Sequence, residues 1–319
     1  MNEQSREIPL IWIDADTGVD DAAALMTALL LEKKGLLKLM GISAVCGNVE
    51  LEKTFENARN VLYMAGREDI KVWPGADRPR LVEYHPAYHV HGENGLGGEI
   101  LQESPAPRET KPAWEALYEC AKAHPGRLEL ILIGPETNAS IALDLYPDLT
   151  GLLKRILVMG GAEYGGNVTS SAEFNIWADP HAAQTVFKSG VPLVMCGLDV
   201  TMKAFLNAAE MKEIESHPGH GSRLISRAST RARELMRASS GETAYVVHDA
   251  CPVIYAVCPK IFTGAEAGVF VETRGPLTRG KTVSDRITDI KFGIKNATVV
   301  LDVDRERFAG IVREAIMSV

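Results

Sequence analysis

The stretch IPLIWIDADTGVDDAAALMTALLL, residues 8–31, joins a strand pattern to a helix pattern through a short turn. Its first apolar run, residues 9–13, has the continuous hydrophobicity of a strand that is buried on both faces. Gly18 then marks a turn, and the acidic pair and Ala/Leu run that follow it are typical of the start of a helix. The stretch therefore predicts one βα unit of an α/β fold.

Four aspartates lie at this junction. Asp14 and Asp16 are two residues apart, so they project to the same face if the strand continues through them. Asp20 and Asp21 fall at the helix N-terminus, where the helix dipole favours negative charge. Positions 7–32 contain no Lys or Arg. The carboxylates would therefore repel one another or take up protons, and this favours a bound metal ion.

Calcium or magnesium is the metal that these ligands favour. The stretch offers only oxygen donors, without His or Cys, which suits a hard cation and argues against a structural zinc site. It is not an EF-hand loop, because Gly18 and Leu25 stand where that loop has a ligand and a glutamate. A single aspartate here could be only a helix cap or a solvated strand end, but four in eight residues are poorly explained in that way.

The composition describes an ordinary globular protein. With 319 residues, 46% hydrophobic and 24% charged, the chain can bury a large core, and we find no linker, so we predict a single domain, 1–319. The formal net charge of −8 favours a small-molecule partner and gives no basic surface for nucleic acid or membrane.

The cysteines and the N-terminal sequence favour a cytoplasmic location. The five cysteines have neither CxxC spacing nor an even count, which is typical of buried thiols in a reducing compartment. MNEQSREIP lacks the pattern of a signal peptide, and no apolar run is long enough to span a bilayer.

Strand and helix patterns alternate along the rest of the chain. Strands are predicted at 37–46, 72–73, 128–133, 155–159, 191–196, 268–272 and 297–302, and helices at 51–65, 114–123, 208–240 with one break near position 218, 250–257 and 305–317. The fold class is thus α/β, an open, mainly parallel, mixed sheet flanked by helices and Rossmann-like, with the active site at the carboxyl ends of the strands. No GxGxxG or Walker A motif is present.

Polar residues follow several predicted strands. They are Asn48, Thr137, Asn138, Asn167, Glu173, Asn175 and Asp249. Singly, each has a structural explanation, Asn138 as a helix cap and the others as turn formers or helix-terminal residues. Because the carboxyl ends of parallel strands meet at one edge, we expect these residues to share one crevice with the aspartates.

Two segments allow more than one interpretation. Residues 79–107 include HPAYHVHGENGLGG and predict a lid, in which His85, His89 and His91 could bind a metal but are more simply lid residues. The arginines at 223, 227, 231, 233 and 237 are most simply the solvated face of a helix.

The ordered motifs resemble the nucleoside hydrolases of the inosine/uridine-preferring type. They are DADTGVDDAAAL at 14–25, GN at 47–48, HGENGL at 91–96, GPETN at 134–138, VMGGA at 158–162, GNVTSSAEFN at 166–175 and HDACP at 248–252. The resemblance covers nearly the whole chain. It implies hydrolysis of the N-glycosidic bond of a ribonucleoside to free base and ribose, with one bound Ca²⁺, in a homodimer or homotetramer.

The resemblance also implies a role for each matching residue. The calcium ligands would be Asp16, Asp21, Asp249 and the main-chain carbonyl of Thr137. Asp16 would also be the general base for the attacking water, and His248 would donate a proton to the departing base. The sugar would be bound by Asp20, Asn48, Asn167, Glu173 and Asn175, packed by Met159 and covered by the loop that carries His91.

The sequence departs from the family pattern at two positions. Thr17 replaces a proline that stiffens the loop, and we expect the site to survive this change. Glu136 stands where an apolar residue is usual and adds a carboxylate. Asn60, Trp177, Arg233 and Tyr245 are places where base preference could be set, but the sequence does not show the preferred base.

Two alternatives compete with this interpretation. IDADTG superficially resembles haloacid dehalogenase-like phosphatases, which predicts magnesium and phosphate release. That hypothesis leaves Asp20, Asp21 and the HDACP block unexplained, and Gly18 stands where that motif has Thr. The other alternative is a calcium-dependent nucleoside or sugar-binding protein without turnover.

Overall fold

Nine of the strands form one central sheet. The computed structural model describes residues 7–286 and 294–319. Most of the segment MNEQSREIP, in which the sequence analysis finds no signal-peptide pattern, lies outside these ranges. The strands are β1 (Leu10–Ala15), β2 (Lys38–Ala44), β3 (Val72–Pro74), β4 (Leu128–Leu132), β5 (Leu153–Met159), β6 (Leu193–Cys196), β7 (Phe205–Leu206), β8 (Tyr245–Val246), β9 (Phe262–Val271), β10 (Thr282–Asp285) and β11 (Ala297–Val303).

The order of the strands confirms a mainly parallel, mixed sheet. The order is β10-β9-β11-β6-β5-β4-β1-β2-β3, and all neighbours from β11 to β3 are parallel. The strand β9 is antiparallel to both of its neighbours, and β7 pairs with β8 in a separate two-stranded sheet. Because β1 lies between β2 and β4, its carboxyl end is flanked by the ends of two other parallel strands.

Helices cover both faces of the central sheet. They are α1 (Val19–Lys33), α2 (Leu51–Met64), α3 (Tyr88–His91), α4 (Ala113–Ala123), α5 (Thr137–Leu145), α6 (Leu149–Leu152), α7 (Phe174–Ala178), α8 (Pro180–Phe187), α9 (Leu198–Thr201), α10 (Ala208–Ser216), α11 (His220–Ala228), α12 (Thr230–Ser240), α13 (Ala250–Val257) and α14 (Arg305–Met317). None of the helices in the described ranges is long and apolar enough to cross a membrane.

Two sequence-based boundaries are wrong. The segment 208–240 forms three helices instead of two, because the chain also breaks at Ser229, where no Gly or Pro announces a break. The strand predicted at 268–272 begins earlier, at Phe262, and ends at Val271. The strands β7, β8 and β10 are too short for their pattern to stand out in the sequence.

Alternate residues of β1 pack on opposite faces of the sheet. Ile11 and Ile13 belong to the core under α1, α13 and α14, whereas Leu10 and Trp12 belong to the core under α4 and α5. All six residues of the strand are buried, as its continuous apolar run predicts. The strand β1, which leads into the acidic junction, is therefore packed against the hydrophobic core on both faces of the sheet.

A tryptophan pair lies over a glycine on β2. The rings of Trp12 and Trp73 stack with centroids 4.8 Å apart, and the Trp12 indole donates to the Ser43 hydroxyl at 3.0 Å. A Cβ atom at Gly41 would overlap the Trp73 ring and lie 2.9 Å from the Trp12 ring. Glycine is therefore needed at this position for the two rings to pack against the strand.

We expect Gly41→Ala to destabilise the protein. The added methyl group forces the stacked rings apart, which costs about 1–3 kcal/mol of unfolding free energy and lowers Tm by a few degrees. Gly310→Ala is the matched control, because a Cβ there meets open space within α14 and should stabilise the helix by about 1 kcal/mol. Calorimetry of both variants measures the difference, and equal Tm values would contradict the packing argument.

Candidate active site

Asp16 lies at the carboxyl end of β1, in a space that two glycines leave open. Its Oδ2 accepts the Asn48 N–H at 2.7 Å, while its buried Oδ1 has no hydrogen-bond partner. A Cβ at Gly47 would overlap Oδ2, and one at Gly134 would lie 2.8 Å from Oδ1. Because β2 and β4 both continue into glycine-containing turns, this carboxylate fits between the ends of the neighbouring strands.

Three further carboxylates meet beside Asp16. Oxygen atoms of Asp20, Asp21 and Asp249 all lie within 4.8 Å of one another. Oδ2 of Asp21 accepts the Gly18 N–H at 2.8 Å and the Asn48 side-chain amide at 3.2 Å, and its Oδ1 is buried without a hydrogen-bond partner. The closest trio thus includes Asp20, which the family resemblance places on the sugar.

The chemistry of this cluster fits a divalent cation. Burial raises the pKa of Asp21 to about 7, with repulsion from Asp20 adding to the shift. Burial also raises the pKa values of Asp16 and Asp249 well above their usual range, and neighbouring aspartates raise them further. Because two oxygens lack partners and all the donors are hard, the cluster suits Ca²⁺ or Mg²⁺.

Two further buried side chains, Asp14 and Asn138, lie near the carboxylate cluster. Asp14 accepts the Asn138 side-chain amide at 2.7 Å and the Ser43 hydroxyl, and burial raises its pKa to about 7. Asn138 also accepts the Ala76 N–H at 2.8 Å and donates to the Ala44 carbonyl at 3.0 Å. The prediction that Asn138 caps a helix is therefore wrong, because its side chain is occupied by these bonds.

Glu136 is buried beside them. Neither carboxylate oxygen has a hydrogen-bond partner, and burial raises its pKa well above the usual range. Burial of a carboxyl group without hydrogen-bond partners disfavours its charged form, and the nearby carboxyl groups of Glu173, Asp179 and Asp14 add to this effect.

A cavity of about 490 Å³ opens over Asp16. The predicted site residues that line it are Asp16, Asp20, Asn48, His91, Met159, Asn167, Glu173, Asn175, His248 and Asp249. Asp21 and Thr137 do not line it, and both are almost fully buried. The fold therefore brings together residues that are more than two hundred positions apart.

Backbone hydrogen bonds hold the predicted sugar-binding residues in place. Glu173 accepts the N–H groups of Asn175 and Gly161, each at 2.9 Å. Asn175 donates to the carbonyl oxygens of Met159 at 3.0 Å and Ile133 at 3.2 Å, and Asn167 accepts a backbone N–H at 2.9 Å. These side chains are fixed by the loop that follows β5, so they present polar atoms to the cavity without reorganisation.

Two histidines face the acidic cluster from different segments. Nδ1 of His91 accepts the Val19 N–H at 3.3 Å, so the neutral ring carries its proton on Nε2. Nδ1 of His248 lies 2.8 Å from the Thr201 hydroxyl. Burial lowers the pKa of both rings below the usual histidine value, because it disfavours the charged form.

The other histidines of the lid segment do not form a metal site. His85 packs against the Trp177 ring at 5.4 Å, and His89 lies at the cavity wall, where its carbonyl accepts the Arg231 guanidinium. Within 7–286 and 294–319, the one cluster with the geometry to hold a metal ion is the carboxylate trio. The role of this segment as a lid stays a prediction.

An apolar wall of the cavity was missed in the sequence. It comprises Val168, Phe174, Met202, Ala232, Leu235, Met236 and Val246, and Tyr245 lies beside it. None of the arginines of α12 lines the cavity, whereas Ala232, Leu235 and Met236 of the same helix do. Arg223, Arg227, Arg231 and Arg237 are exposed, which agrees with the solvated face predicted for the arginines. The apolar face of α12 was not predicted, and the i, i+3, i+4 spacing of its three residues was the available signal.

Comparisons with known proteins agree with this arrangement. The family model described as inosine-uridine preferring nucleoside hydrolase matches residues 11–310. The chain belongs to this family. The pyrimidine-specific ribonucleoside hydrolases RihA of Salmonella enteritidis and Citrobacter koseri are 37% and 36% identical over 312 residues, which is 97% of this chain and 98% of each relative.

Solved structures of nucleoside hydrolases share the fold. A plant nucleoside hydrolase superposes with a TM-score of 0.89 at 28% identity, covering 97% of this chain and 99% of that one. A purine-preferring ribonucleoside hydrolase from Gardnerella vaginalis gives the same TM-score at 29% identity, covering 97% and 98%. The protein is therefore a hydrolase that acts on N-glycosidic bonds, as the motifs predict.

The stability of the hydrolase should depend on the ionisation of Glu173. Burial raises the pKa of this carboxyl from 4.5 to about 7, so the folded state binds the proton more tightly than the unfolded state. Stability is therefore lost as the pH rises from 4.5 to 7. We expect Glu173→Gln to become more stable relative to wild type by roughly 2 kcal/mol between pH 5 and pH 8.

Thermal unfolding in the presence of a chelator measures this dependence without metal binding. The hydrogen bonds that glutamine loses change the unfolding free energy of the variant by the same amount at each pH. The result is therefore the change with pH of the stability difference between Glu173→Gln and wild type. The exposed Glu103→Gln variant serves as the control. A difference between Glu173→Gln and wild type that stays constant over this range would show that Glu173 does not titrate there.

Proposed function

We propose that the protein is a calcium-dependent ribonucleoside hydrolase that releases free base and ribose. The observation that carries the proposal is the cavity itself, which has a floor of buried carboxylates and amides and a wall of apolar side chains. A nucleoside has the matching division between a polar sugar and an aromatic base. The floor suits the ribose hydroxyls, and the wall formed by α12 and its neighbours suits the base.

The proposed calcium ligands are Asp16, Asp21, Asp249 and the main-chain carbonyl of Thr137. When bound, the ion would orient a water molecule and make it more acidic. Asp16 lines the cavity, and its Oδ1 has no protein partner, so this oxygen is free to accept the water proton as general base. The Asn48 N–H holds the other carboxylate oxygen and fixes the orientation of the base.

The remaining residues act on the sugar and on the leaving group. As the glycosidic bond breaks, positive charge develops on the sugar, and the carboxylates of Asp20 and Glu173 stabilise it. We assign His248 as the donor to the departing base. Nδ1 of His248 lies 2.8 Å from the Thr201 hydroxyl. We assign this nitrogen as the acceptor, which places the ring proton on Nε2, where it can be donated to the departing base.

We further propose unphosphorylated pyrimidine ribonucleosides as the preferred substrates. The names of the RihA relatives support the choice of base. No Lys or Arg occurs among the described residues that line the cavity, so a phosphate group would be repelled by the carboxylates and would find no ammonium or guanidinium group to balance its charge. The same observation disfavours a phosphatase. A homodimer or homotetramer and a cytoplasmic location stay predictions from the family resemblance and the composition.

Release of free base tests the proposal directly. We expect the protein to hydrolyse uridine and cytidine faster than inosine, and not to hydrolyse uridine 5′-monophosphate. The activity should be lost in a calcium chelator and restored by Ca²⁺.

Asp16→Asn should lower kcat by about 10²–10⁴-fold with the fold intact. Chromatography separates base from nucleoside. Tight nucleoside binding without release would instead favour the non-catalytic binding protein.

A second prediction concerns the leaving group. His248→Ala should reduce kcat with uridine by about 10²-fold or more, but by less than about tenfold with 4-nitrophenyl riboside, whose leaving group needs no proton. His217→Ala is the control, because that ring binds Gly219 and Ser222 and does not line the cavity. Equal losses of His248→Ala on both substrates would exclude the proton-donor role.

A further inference from the structure

A buried carboxylate outside the predicted site, Asp179, joins three segments of the chain. It is fully buried at the N-terminus of α8, where its Oδ1 accepts the Ala182 N–H at 3.1 Å. Its Oδ2 accepts the Thr137 hydroxyl and the Arg80 N–H, each at 2.8 Å. Only the bond to Ala182 caps the helix, so the other two bonds connect this carboxylate to the loop after β4 and to the start of the lid segment.

Thr137 is the residue whose main-chain carbonyl we propose as a calcium ligand. A carbonyl ligand moves with its peptide group, so its position depends on how firmly that peptide is held. The N–H of Thr137 donates to the Pro135 carbonyl at 2.8 Å in a tight turn, and the next residue, Asn138, is bound to Asp14. On the other side, the partner of the Thr137 hydroxyl is Asp179.

The surroundings of Asp179 are suited to holding this hydroxyl still. A carboxylate accepts a stronger hydrogen bond than a neutral oxygen, and helix α8 supports it rigidly. Arg80, which shares Oδ2, also binds the Ser140 hydroxyl at 2.7 Å and Asp144 at 2.6 Å on α5. The helix that begins with Thr137 is therefore fixed to Asp179 both directly and through Arg80.

We propose that Asp179 is a positioning residue for calcium, because its bond to the Thr137 hydroxyl fixes the carbonyl that binds the ion. This inference rests on the metal site proposed above. Outer partners of metal ligands are commonly worth 10–100-fold in metal affinity. The side chain of Thr137 thus has a role of its own, separate from that of its carbonyl.

Thr137→Val tests the inference, because valine keeps the shape and the main-chain carbonyl but removes the hydroxyl. Calorimetric titration of chelator-treated protein with Ca²⁺ should give a Kd that is 10–100-fold weaker. Thr137→Ser keeps the hydroxyl and should bind within about threefold of wild type. Thr27→Val is the matched control, since Thr27 is equally buried and donates to the Ala23 carbonyl at 2.7 Å. It should bind as wild type.

Asp179→Asn provides a second test. Its amide keeps one oxygen to cap α8 but turns an N–H₂ group toward the donors from Thr137 and Arg80, so calcium affinity should again fall. If this variant does not fold, the valine variant decides. A Thr137→Val protein that binds calcium as tightly as wild type would overturn the inference.

The outcomes separate this inference from the proposed function. If wild-type protein binds calcium but releases no base, the proposed hydrolase activity is wrong, and the calcium titrations still test the role of Asp179. Wild-type protein that binds no calcium would overturn the metal site and the role of Asp179 together. A Thr137→Val protein with a weaker Kd for calcium, beside Thr137→Ser and Thr27→Val proteins that bind as wild type, would support positioning.

Discussion

The carboxylates of Asp16, Asp21 and Asp249 are buried close enough to repel one another, and no Lys or Arg of the described residues forms a salt bridge with them. The free energy of keeping these charges away from water therefore constrains the whole site. Burial raises the pKa of each carboxyl group, and repulsion from neighbouring aspartates raises it further. Such a cluster is stable as an ionised group only when a cation is shared among its oxygens. The metal site, the sugar-binding role of the floor and the general base that we propose all depend on this arrangement.

Space at the edge of the sheet is the second requirement. Parallel strands lie close together, so a carboxylate at the end of β1 fits only if the neighbouring strands end without side chains. Gly47 and Gly134 provide that space, and Gly18 lets the His91 ring approach the N-terminus of α1. Glycine is needed at these three positions because a Cβ at any of them would lie too close to the Asp16 carboxylate or the His91 ring.

The cavity has parts of different origin. The floor comes mainly from strand ends and from loops that are held by backbone hydrogen bonds, so its geometry is set by the sheet. Much of the apolar wall comes from α12 and the end of α9, which pack over the floor from outside the sheet.

The sequence by itself determined the α/β class, the βα unit around Asp16 and the set of residues that meet at the carboxyl edge, because periodicity and strand ends are local signals. Only the tertiary structure decided what those residues touch. Asn138 has the sequence of a cap but binds Asp14, and the α12 stripe is apolar because it faces a cavity. The contact between Asp179 and Thr137 spans 42 positions, and no local pattern encodes it. Such pairings arise when separate helices are packed on the same sheet, which is why the sequence pattern could not show them.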